Sequence, residues 1–173
     1  VKGAKITLPN SKRFALIPRS ASYAIIWQAI PEYLRIPGDN WHPIKATTNN
    51  IGSPLEVDEP ADGLCCLVRD PIERFRSACA RQKVTPEEGL QRLQTDVHFW
   101  PISDMGLLVD GVTYFRFPYE IDACANWLGL QTPVPKLNEE PESEKPTLTE
   151  QQKLAIQIAF ADDIAMWEFI SNK

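Results

Sequence analysis

Glycine is scarce in this chain of 173 residues, with 8 against 15 prolines. The Gly-rich loop with a following Lys and Ser/Thr that cradles nucleotide triphosphates is missing, which argues against an ATP or GTP hydrolase. Histidine is scarcer still, with only His42 and His98. The four cysteines, Cys65, Cys66, Cys79 and Cys124, lack the paired spacing of a zinc site. They read as small apolar residues in a reducing cytosol, so the expectation is a cytoplasmic protein with neither disulfides nor a bound metal. No apolar run approaches the roughly 20 residues that span a bilayer, and no signal-peptide pattern opens the chain. No membrane partner is therefore expected, although a start at Val1 rather than Met leaves room for a trimmed upstream segment. A net charge of −5 and a pI near 5.1 speak against a nucleic-acid coat or a polybasic membrane binder. A local basic pocket for a small anion stays compatible with that balance.

Apolar residues are plentiful instead, at 43% of the chain, enough for one domain over residues 1–173 with a substantial core. "FALI" at 14–17 and "GLCCLVRD" at 63–70 read as buried strands, and in the second Cys65 and Cys66 should face opposite sides. Asp70 and Pro71 predict a capped helix start, with the helix running to about Gln82. Thr85-Pro86-Glu87-Glu88 forms a capping box for a short helix ending near Thr95. "MGLLVDGVTYFRF" (105–117) reads as two strands around an Asp110-Gly111 turn. Ile121 to Leu128 has helical spacing closed by Gly129. Residues 131–147, rich in proline and acids, read as a solvated connector. Thr149 and Gln152 open a final helix, whose apolar stripe is Leu154, Ile158, Ala161, Ala165 and Phe169. The alternation of strands and helices predicts an α/β fold, a small mostly parallel sheet flanked by helices.

Two strand-to-helix junctions stand out. At the first, Pro18-Arg19-Ser20-Ala21-Ser22 follows an apolar strand; at the second, Arg69 ends a strand and Ser77 lies two turns down the next helix. Ligands of open α/β sheets bind beyond the carboxyl ends of the strands, where helix N-termini offer free N–H donors to anions. Two such basic, hydroxyl-bearing junctions on one sheet edge suggest a ligand phosphorylated at two places. Each junction alone is more often an ion pair and a helix cap than a site.

Together these residues carry a resemblance. "LVRDPIERFRSAC" (67–79) looks like the 3′-phosphate-binding segment of sulfotransferases, and "FALIPRSASYAI" (14–25) is similar to their 5′-phosphosulfate loop. "DVHFWPIS" (96–103) resembles the His-x-x-Pro segment of the carbohydrate, membrane-associated branch. The terminal Phe160-Ala161-Asp162-Asp163, followed by Trp167, resembles that branch's Tyr-Ala-x-Asp helix. "FRFPYEIDACANWLGL" occupies the place of its Tyr-Glu and helix ending in Leu-Gly-Leu. Order and spacing agree from about residue 13 to 170.

The resemblance implies a P-loop-NTPase-like sulfotransferase fold and transfer of a sulfuryl group from 3′-phosphoadenosine-5′-phosphosulfate to a hydroxyl, with a small molecule or carbohydrate as acceptor and no metal. It would put the 3′-phosphate on Arg69 and Ser77. The 5′-phosphate and bridging oxygen would fall to Arg19 and the backbone of Pro18, Ser20, Ala21 and Tyr23, with a hydroxyl bond from Ser22. Arg19 stands where the family usually has Lys, and Tyr23 where it has Ser or Thr. Lys can follow charge onto a leaving oxygen, whereas Arg is a planar fork that keeps its proton. A catalytically silent binding module is therefore the alternative. The base that takes the acceptor's proton would be His42 or His98, since histidine titrates nearest neutrality. Glu32 and Glu120 are poorer candidates, and Glu120 reads better as a partner of Arg116. Trp27, Trp41, Phe99 and Trp100 could line an acceptor cleft or simply pack.

Overall fold

A computed structural model of the chain describes residues 4–8, 10–20, 24–25, 53–54, 62–108, 110–135 and 140–172. Five strands form one open sheet: β1 (Ala4–Thr7), β2 (Arg13–Ala15), β3 (Ser53–Pro54), β4 (Leu64–Arg69) and β5 (Thr113–Phe117), in the order β3-β1-β2-β4-β5. β2, β4 and β5 run parallel, and β1 and β3 add antiparallel strands at the other edge. The fold is thus α/β.

β4 is buried along its whole length because both faces of the sheet are covered. Its alternate residues feed two cores. Cys65 and Leu67 pack with Phe14, Leu16 and α3 (Ile121–Leu128) on one side. Leu64, Cys66 and Val68 pack with Ile17, Ile102, Leu107 and Ile170 on the other, where α5 (Ala161–Ser171) lies. The adjacent cysteines do face opposite sides, and all four are buried free thiols. A third core joins α1 (Pro71–Gln82), α2 (Pro86–Gln91) and α4 (Glu150–Ala159) through Phe75, Cys79, Phe99, Ile156 and Phe160.

Several local expectations hold. Asp70 Oδ1 accepts from the Glu73 amide at 2.9 Å, with Pro71 opening α1. The capping boxes at Thr85–Glu88 and Thr149–Gln152 are both closed reciprocally. Gly129, at φ 80°, ends α3 in the left-handed conformation that a residue without Cβ adopts freely.

Others are overturned. α2 stops at Gln91, four residues short of the expected end, and turns carry the chain onward to Thr95. The hairpin at 105–117 does not form: Ser103–Met105 is a 3₁₀ turn, Leu107 is buried as coil, and β5 pairs in parallel with β4 instead. Tyr114 Oη donates to the Leu107 carbonyl at 2.6 Å, so the Asp110-Gly111 turn returns the chain to the sheet edge without a ladder. The terminal helix breaks at Phe160 into α4 and α5, and its expected apolar stripe points outward. Leu154, Ile158 and Phe169 are exposed, while Ile156, Phe160, Asp163 and Ile170 face inward. Among the described residues no helix is long and apolar enough to cross a membrane.

Candidate functional site

Parallel pairing brings the two junctions together. Arg13 and Phe14 lie opposite Leu64 and Cys65, so the residues after β2 and those after β4 leave the sheet side by side at its carboxyl edge. Pro18 and Ser20 are buried in a turn there, closed by the Ser20 amide donating to the Ile17 carbonyl at 3.3 Å. Arg19, between them, has φ 67°, a left-handed conformation unusual for a residue with a side chain. Arg69 Nη1 donates to the Arg19 carbonyl at 3.3 Å, and its guanidinium lies 5.3 Å from the centre of the Phe117 ring.

The Arg19 side chain reaches across 58 positions of sequence to Ser77 on α1. Its Nε and Nη2 donate to Ser77 Oγ at 3.1 and 2.9 Å. Ser77 Oγ in turn donates to Glu140 Oε2 at 3.1 Å, and Glu140 forms an ion pair with Arg19 Nη2. Ser77 is fully buried and Glu140 only 9% exposed, so the pair sits largely out of water. Even with this carboxylate on it, burial first, then the positive charges of Arg69 and Arg81, hold the Arg19 guanidinium down at about 10. It remains a cation at neutral pH. The two junctions therefore meet in one basic cluster instead of forming two separate pockets.

Beside Arg19, Ser20 Oγ is buried with no hydrogen-bond partner among the described residues. A buried hydroxyl left without a partner costs about 1–3 kcal/mol. A phosphate oxygen is one partner that would relieve it. The donor set of Arg19, Arg69, Ser77 and Ser20 suits a phosphate better than any neutral group.

The other expected residues fall elsewhere. Ala21, Ser22, Tyr23, Trp27, Glu32, Trp41 and His42 lie outside the described residues. His98 sits at the far end of α1 from Asp70: its Nδ1 lies 2.8 Å from Asp96 Oδ1 and 3.1 Å from Nε2 of Gln82, the last helical residue. Burial pushes the Asp96 carboxyl up, but the bonds from His98 outweigh it and hold the group below its usual range. Phe99 is core rather than cleft lining, wholly buried edge-to-face against Phe75. Trp100 packs on the second core, and its carbonyl accepts from Arg74 at 2.7 Å. Glu120 does bind Arg116, accepting from its amide at 2.7 Å and from its guanidinium at 3.1 Å.

Asp163 of the terminal motif is fully buried and accepts from the amides of Ile102 and Ser103 at 2.7 and 3.0 Å. Arg74 approaches it at 3.5 Å. The residue that sequence reasoning missed is Glu140. It lies in the stretch read as a solvated connector, and no local pattern separates it from its exposed acidic neighbours Glu142 and Glu144. Among the described residues, no cluster of His, Cys, Asp and Glu could hold a metal ion. Compared with known proteins, the chain matches no family model, no curated protein and no solved structure.

Proposed function

We propose that this chain is a sulfotransferase-like protein. It binds 3′-phosphoadenosine-5′-phosphosulfate and transfers the sulfuryl group to a hydroxyl, that of a carbohydrate in the branch it resembles. The observation that carries the reading is the convergence of Arg19, Arg69 and Ser77, from two strand ends, in one buried basic cluster that already holds an anionic group. In the transfer, sulfur gains a bond to the acceptor oxygen and loses its bond to the bridging oxygen of the 5′-phosphate. The acceptor's proton goes to a base, and 3′-phosphoadenosine 5′-phosphate leaves. Such a step is driven mostly by positioning and by charge on the peripheral and leaving oxygens. Arg19 and Ser20 are the residues for that charge at the 5′ side, and Arg69 and Ser77 for the 3′-phosphate.

A silent binding module is the second reading. It is favoured by Arg19, which stands where a lysine is expected and whose guanidinium is engaged by Ser77 and Glu140. Addition of millimolar 3′-phosphoadenosine 5′-phosphate is expected to raise the melting temperature by several degrees, since a ligand at 100 times its Kd adds about 2.7 kcal/mol. Arg69→Ala should abolish the rise and Ser77→Ala reduce it. No rise in the unaltered protein overturns both readings. Labelled donor with a panel of acceptors then separates them: a sulfated product supports the enzyme, and binding without transfer supports the module.

A further inference from the structure

The anion in the cluster is supplied by the protein itself. Glu140 Oε2 takes the only proton of the Ser77 hydroxyl, at 3.1 Å, and the same Glu140 oxygen is paired with Arg19. Arg19 also donates to Ser77 Oγ directly, through Nε and Nη2. A 3′-phosphate that took the Ser77 proton, or a 5′-phosphate that took the Arg19 guanidinium, would claim a donor that Glu140 now uses. Two anions cannot share these donors: the hydroxyl has one proton, and like charges this close repel strongly where water is largely excluded.

Glu140 is also well placed to leave. It belongs to no helix or strand. The short 3₁₀ turn that follows it, Glu142–Glu144, is tied to α1 independently of the cluster. Arg76 binds Glu142 at 2.6 Å and the Pro146 carbonyl at 2.9 Å, and Lys145 binds Glu142 at 2.7 Å. The carboxylate can therefore swing out while the chain behind it keeps its anchors.

We infer that Glu140 is a built-in competitor for the phosphate: it occupies the Arg19–Ser77 donors in the free protein and must leave them for a phosphorylated ligand to bind. The device rests on the phosphate-binding reading of the cluster, and it sets the affinity of that site. A carboxylate with only a structural role would behave in the opposite way, because neutralising it would loosen the cluster and weaken any site built on it.

Calorimetric titration of the full chain with 3′-phosphoadenosine 5′-phosphate tests this, with inorganic phosphate as a second probe. Glu140→Gln keeps the side-chain size and an acceptor for Ser77 but removes the charge. It is expected to bind the nucleotide at least tenfold more tightly than the unaltered protein. Equal or weaker binding by a folded Glu140→Gln protein, with Arg69→Ala still abolishing binding in the parent, overturns the competitor and leaves the site standing. If neither protein binds nucleotide or phosphate, the site reading falls and the competitor with it. Glu140→Ala, which removes the carboxylate altogether, gives a second answer: it too should bind the nucleotide more tightly than the unaltered protein, and equal or weaker binding by it also overturns the competitor.

Discussion

Arg19 carries two burdens at once. A left-handed backbone is costly for a residue with a Cβ, and this one is kept there by the Ile17–Ser20 turn and by the Arg69 guanidinium on its carbonyl. Its own guanidinium is then buried beside two further cations, which is why its pKa falls to about 10. Below pH 10 Arg19 is charged in the folded and unfolded chain alike, and the folded state bears the full cost of that charge. Between about pH 10 and the higher ordinary value of an arginine the folded protein holds fewer protons than the unfolded one, so this residue makes stability rise with pH. Affinity for an anion moves the other way, because the neutral guanidinium attracts none. Affinity for 3′-phosphoadenosine 5′-phosphate, measured by calorimetry, should be insensitive to Arg19 up to about pH 9 and fall through pH 10. A profile that stays flat past pH 11 would remove Arg19 from the site.

Among the elements, the helix starts were legible because their signals are local. Asp70, Thr85 and Thr149 each cap a helix with their own side chains, within three residues of the donor they satisfy. The failures were non-local. A strand at 105–109 would need a partner, and β4 offers its free edge to β5 alone. The terminal stripe has good helical spacing, but the chain breaks at Phe160, whose ring enters the third core against Phe75. That rotates the register, and the residues that reach inward are Ile156, Phe160 and Ile170. Gly89 on α2 shows how tightly this core is filled. A Cβ there would lie 2.8 Å from Phe75 Cζ, 2.9 Å from Phe99 Cε1 and 3.0 Å from Cys79 Sγ. Both rings are buried and packed edge-to-face against each other. Gly89→Ala gains about 1 kcal/mol of helix propensity but loses more to overpacking, typically 1–3 kcal/mol. Urea denaturation should show a net loss of stability; a gain would mean that the rings have room to turn.

At the scale of the whole molecule, one buried ion pair ties α1, α5 and the loop after His98 together. Arg74 is 1% exposed and Asp163 fully buried. Burial draws the Arg74 guanidinium down, Asp163 pulls it back up, and burial wins. Asp163→Ala would strand that cation and two amides, and breaking such a pair typically costs about 3–5 kcal/mol. Chemical denaturation is the measurement; a loss below about 1 kcal/mol would show that water reaches Arg74 once its partner is gone. The same scale separates what the residues declare from what the fold decides. Apolar runs, caps and the Pro18–Ser22 and Arg69–Ser77 junctions are written in neighbouring residues, and they determined the α/β class, α1 and the basic half of the candidate site. Only the tertiary structure decided that the two junctions form one cluster and that its anion is Glu140. The pairing of parallel β2 and β4 sets the first, and a contact spanning 63 positions sets the second. A carboxylate's partner depends on where the chain returns in space, and no short window of sequence holds that distance.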